Sequence, residues 1–222
     1  MKLSLLLSIA LVLAPFVARA GDSSDIVNET ARNLEGGNGR VASFWWLPQE
    51  YWERAAKELE IPAEEQEKVR TLFRDYVLVG ALDTRLAASD KKPEFATIGE
   101  IAKRSTFLRN GEEVEVLRDV NPELVRLVPS LVYLLRASLS GLGEGLRLLP
   151  LPNLDAKGNP ILTGDKRGEL KLVYRFDDSA TPQEVIWRAP LTAVAGAKKC
   201  PKGGEKLEAN WDYCPWHGVK VD

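Results

Sequence analysis

Two short segments near the C-terminus, Cys200-Pro201-Lys202-Gly203-Gly204 and Cys214-Pro215-Trp216-His217-Gly218, repeat one pattern, C-P-x-x-G. They hold both cysteines of the chain and its single histidine. Every thiol and every imidazole therefore lies in one terminal box. The residues before it contain no G-x-S-x-G and no H-E-x-x-H, and no histidine to serve as a general base. The chemistry legible in this chain is local to the box.

The other end sets the compartment. Lys2 is followed by an almost wholly apolar run from Leu3 to Val17, then by Ala18-Arg19-Ala20. A basic start, a short apolar core and small residues at the cleavage positions are the marks of a secretory signal peptide. The run is about 15 residues, short of the ~20 that a membrane-spanning helix needs. Cleavage is expected after Ala20, leaving no transmembrane segment and placing the protein in a periplasmic or extracellular, thiol-oxidising environment. A net charge of −2 with both signs interspersed gives no electrostatic reason to expect nucleic acid.

Patterning divides the chain into a signal peptide (1–20), a flexible leader (21–43), a folded domain (44–192) and a linker with the terminal box (193–222). The leader is expected to be flexible because it is rich in Gly, Asp, Ser and Asn, with one short helical turn around Ile26 to Leu34. Pro48 suits the first position of a helix running to about Glu60. A second helix starts at Pro62 and carries the stripe Val69, Leu72, Phe73, Tyr76. Tyr76 to Leu82 reads as a buried strand, with continuation of the preceding helix as the alternative. Thr97 and Glu100 have capping-box spacing, and Asn110-Gly111 favours a tight hairpin. Asn121-Pro122 starts a helix broken or kinked at Pro129 and resuming at Ser130, with Leu131, Leu135 and Leu139 on its face. It is apolar nearly all round, as a central buried helix would be. Glu169–Phe176 and Val185–Leu191 alternate and predict an antiparallel hairpin. The expected fold is α+β: an antiparallel sheet with helices on one face, plus a small ribbon-like knuckle.

The box resembles the zinc-ribbon family, whose knuckles read C-P-x-C-G twice. Pro201, Pro215, Gly204 and Gly218 match that pattern, and Cys200 and Cys214 stand as the first ligand of each knuckle. The resemblance implies two ligands per knuckle, with a glycine relieving a tight backbone turn. His217 stands where a second ligand belongs and can bind zinc. Gly203 stands at the other such position and has no ligand atom, so the fourth ligand would be water, Glu205 or Asp212. Two readings follow from this departure. The preferred one is a Cys200–Cys214 disulfide with no cofactor, which closes a loop of about 15 residues for ~3 kcal/mol in the chain-entropy model. The alternative is a zinc or thiol-redox site using Cys200, Cys214 and His217. A Rieske-type iron–sulfur centre needs two histidines and is excluded by the count.

Trp45, Trp46 and Trp52 lie in a dense aromatic stretch. They offer either a candidate binding surface for a glycan or peptide, or core packing; core packing is the preferred reading. Asp83, Asp177 and Asp178 have no pairing pattern and read as turn or surface residues. The function expected from sequence is a non-enzymatic binding or envelope-assembly module with a protein or glycan partner.

Overall fold

The computed structural model describes residues 23–85, 92–177 and 180–221. The expected signal peptide and Asp178 lie outside the described residues. The chain is α+β, and its strand pairings are antiparallel in more than one open sheet, where a single sheet was expected.

Residues 23–43, expected as a flexible leader, are instead part of the domain. They form α1 (Ser23–Thr30), β1 (Ala31–Glu35) and the start of β2 (Arg40–Leu47). β1 pairs with β2 from Ala31↔Trp45 to Glu35↔Val41. The segment is polar overall but carries anchors that local composition conceals. Ile26 is fully buried, and the Thr30 carbonyl accepts a 2.6 Å hydrogen bond from the buried Trp187 indole.

The helices α2 (Gln49–Glu58) and α3 (Ala63–Arg74) form a pair whose apolar stripes meet. Trp52 stacks on Phe73 with ring centroids 4.5 Å apart, and Tyr51, Ala55, Ala56 and Val69 are buried around them. Pro48 is the N-cap of α2, one position before the expected one. β3 (Tyr76–Arg85) forms as a buried strand and pairs with β2 along its length. β4 (Glu94–Phe95) and later β7 (Arg147–Pro152) complete the first sheet against β3. Nearly every side chain of β2 and β3 is buried, so this pair runs through the core with both faces covered.

α4 (Ile98–Arg104) starts at Thr97 with both capping-box hydrogen bonds to Glu100 in place. The second sheet has the order β6-β5-β8-β9. β5 (Ser105–Arg109) and β6 (Glu112–Val114) turn at Asn110-Gly111, where both residues have positive φ. β8 (Gly168–Tyr174) and β9 (Gln183–Ala189) form the expected hairpin, with Leu170 opposite Trp187. The two sheets meet where Phe44 packs edge-on against Tyr174, ring centroids 4.9 Å apart.

The helix expected at the centre of the domain is peripheral. It is two elements, α5 (Pro122–Leu131) and α6 (Tyr133–Ser138). Leu124, Leu127, Leu135 and Leu139 are buried, but Val125 and Tyr133 are 60% and 65% exposed. Pro129 lies inside α5, and the break comes beyond it at Val132. Apolar residues all round a helix did not mean burial all round, because β2 and β3 already fill the interior. Among the described residues no helix is long and apolar enough to cross a membrane.

Burial decides two further readings, in favour of core packing for the tryptophans and against a surface role for Asp83. Trp45, Trp46 and Trp52 are 4%, 0% and 1% exposed and form core, not a binding surface. Asp83 is not a turn or surface residue. It sits inside β3, 1% exposed, and accepts from Arg40 and Arg104 at 2.8 Å each and from the Tyr174 hydroxyl at 2.6 Å. After β9 come α7 (Thr192–Ala195), then β10 (Lys198–Lys199) and β11 (Lys206–Leu207), which open the terminal box.

Candidate metal centre

The two C-P-x-x-G segments fold alike. The Cys200 N–H donates to the Glu205 carbonyl at 2.9 Å, and the Gly204 N–H to the Cys200 carbonyl at 2.8 Å. The second turn repeats both bonds at the same offsets: Cys214 N–H to Val219 at 2.8 Å, and Gly218 N–H to Cys214 at 2.8 Å. Gly204 and Gly218 have φ of 76° and 63°, a region that a side chain disfavours. The sequence repeat is thus a repeat of one hydrogen-bonded turn. An antiparallel pairing flanks each, a short ladder including Lys199↔Lys206 beside the first and a single bridge Tyr213↔Lys220 beside the second.

The turns face each other and bring four side chains together. Cys200, Glu205, Cys214 and His217 each present one ligand atom, and these atoms lie within 4.8 Å of one another. His217 Nδ1 stands 3.4 Å from Cys200 Sγ and 3.5 Å from Cys214 Sγ. Glu205 Oε2 is 3.7 Å from the same nitrogen. Both cysteines are buried free thiols, not joined as the disulfide reading expected. The imidazole nitrogen is a close neighbour of both sulfurs.

The electrostatics suit a thiolate at Cys214. The Gly203 N–H donates to Cys200 Sγ at 3.4 Å. Burial pushes the Cys214 thiol up, but hydrogen bonds from Cys200, His217 and the backbone N–H groups of His217 and Trp216 outweigh it and hold it below the usual thiol range. Glu205 Oε2 is buried and accepts no hydrogen bond. A buried carboxylate oxygen without a donor is costly unless a cation or proton satisfies it. The group Cys200, Glu205, Cys214 and His217 could hold a metal ion.

Of the three candidates for the fourth position, Glu205 enters the cluster and Asp212 does not, its carboxylate being paired with Arg167. Leu207, Val221, Trp211 and Val219 pack with the two cysteines as a miniature core. Tyr213 and Trp216 are 61% and 63% exposed, and Trp216 lies 6.1 Å from Trp211.

The box is docked on the domain rather than held by a free linker. Asn210 donates through its side chain to the Arg188 carbonyl of β9 at 3.1 Å, and the Ala209 N–H donates to Thr192 Oγ1 at 3.0 Å. A cleft of about 920 Å³ runs between α1, the edge strand β9 and the box, lined in part by Asp25, Glu29, Arg32, Arg188, Lys206 and Trp211. These residues come from three distant stretches of sequence, and no local pattern marks them.

Comparison with known protein families, with curated proteins and with solved structures finds no match.

Proposed function

We propose that the terminal box is a structural zinc site with Cys200, Cys214, His217 and Glu205 as ligands, on an exported, non-enzymatic binding module. The observation that carries this is the convergence of these four donors on one point, with Glu205 Oε2 otherwise unpartnered. Zinc is the ion that fits such a set. Thiolate and imidazole are its preferred ligands, and a carboxylate is an accepted one. In tetrahedral zinc, bonds of about 2.3 Å to sulfur and 2.0–2.1 Å to nitrogen put adjacent S and N atoms roughly 3.5–3.6 Å apart. The two S–N separations here are 3.4 and 3.5 Å. All four positions are taken by protein, as in a site that supports structure; a catalytic zinc keeps one open.

In this reading the ion fastens a box too small to hold a core of its own. The box then forms one wall of the cleft beside β9. The module's work is binding in that cleft, with a protein or glycan as partner. Metal content of the purified full chain tests the site. One zinc per chain is expected, with strong loss in His217→Ala and Cys214→Ser. Metal-free protein that also takes up no added zinc when reduced overturns it.

A further inference from the structure

We infer that Cys200 and Cys214 form an oxidant-reactive dithiol, so that a peroxide converts the metal site into a disulfide and expels the ion. This inference rests on the zinc reading. Its basis is the composition and placement of the ligand set. The two sulfurs lie within 4.8 Å of each other, and a disulfide of about 2.05 Å closes that gap by a movement of under ~3 Å. Each sulfur is the only possible partner of the other, since the chain has no third cysteine. One bond therefore consumes every sulfur ligand at once, leaving only a carboxylate and an imidazole. A site with four cysteines would keep two thiolates after the same event; this one keeps none.

The approach to the sulfurs is on the side of the weaker ligands. Both cysteines are buried, whereas the His217 and Glu205 side chains are 26% and 40% exposed. Displacing the carboxylate opens the cluster without unfolding the turns, because the turn hydrogen bonds are made by backbone groups. The same turns therefore serve both forms, and the box stays docked on β9 in each.

The step balances with hydrogen peroxide as the oxidant. One thiolate attacks a peroxide oxygen; an S–O bond forms, the O–O bond breaks and hydroxide leaves. The second thiolate attacks that sulfenic sulfur; the S–S bond forms, the S–O bond breaks and a second hydroxide leaves. The two sulfurs lose two electrons and the peroxide gains them. Zinc leaves as Zn²⁺ with its oxidation state unchanged.

The test uses the full chain, reduced, loaded with zinc and freed of excess metal. Zinc bound before oxidation is measured first and reads the metal site alone. Hydrogen peroxide is then added, and released zinc, free thiols and intact mass are followed together. The expected result is one zinc released per two thiols lost, a mass lower by two hydrogens than the reduced chain, and recovery on adding dithiothreitol and zinc. Cys200→Ser, loaded or not, should give no intramolecular disulfide. Bound zinc that stays in place with both thiols intact overturns the inference while leaving the zinc site standing. Release with sulfinic acid as the product also overturns it. A chain that takes up no zinc at the first step removes the site and the inference together.

Discussion

The carboxylate of Glu205 occupies the space that a side chain at Gly203 would need. A Cβ placed on Gly203 would fall well inside contact distance of both Glu205 carboxylate oxygens. The position that lacks a ligand thus makes room for the residue that replaces it. Gly203→Ala should push Glu205 out of the cluster and lower zinc affinity by roughly 10–100-fold, the range seen when a ligand's support is removed. The turn itself should survive, because the colliding atoms belong to the end of a flexible side chain. Competition with a chelator checks the affinity. An unchanged value would show that Glu205 is not a ligand.

Asp83 predicts a large effect on domain stability. It is a buried anion facing two arginines and a tyrosine hydroxyl. Asp83→Ala leaves Arg40 and Arg104 without their common partner, a change that costs about 3–5 kcal/mol when a buried pair is broken. Denaturant unfolding measures it. A cost below ~1 kcal/mol would place the network at the level of surface ion pairs.

Glu50 gives a pH dependence of known sign. Burial, the largest influence, raises its carboxyl above the ordinary value of 4.5, and nearby Asp165 and Glu53 add to this. Its own N–H and that of Gly164 oppose the shift. A carboxyl raised in the folded state favours folding when protonated, and that advantage is lost as pH rises from 4.5 through the folded value. Glu50→Gln should therefore gain stability relative to wild type across this window, keeping an oxygen to accept the Gly164 N–H. Thermal midpoints of both proteins against pH check it; parallel curves would refute it.

The peripheral position of α5 and α6 is tested by two truncations to alanine. Leu135 is 3% exposed, and Leu135→Ala should cost about 2–5 kcal/mol. Val125 is 60% exposed, and Val125→Ala should stay within about 0.5 kcal/mol. Equal costs would return the whole helix to the core.

What the sequence by itself determined is whatever repeats at short range. The alternation of Leu170, Leu172 and Tyr174 against Val185, Trp187 and Ala189 specified the β8–β9 hairpin, because side-chain direction in a strand follows position alone. Thr97 and Glu100 specified the start of α4 for a similarly local reason. The doubled C-P-x-x-G specified two like turns. The tertiary structure alone decided what depends on distant neighbours. Thr30 became core because Trp187 comes to it from the other end of the chain. Asp83 became a buried anion because Arg40, Arg104 and Tyr174 surround it. Most of all, position in the box makes Glu205 and Asp212 candidates for the fourth donor, but nothing in the sequence chooses between them. Glu205 becomes the fourth donor only when two turns fold face to face, Gly203 leaves it space, and Arg167 holds Asp212 elsewhere.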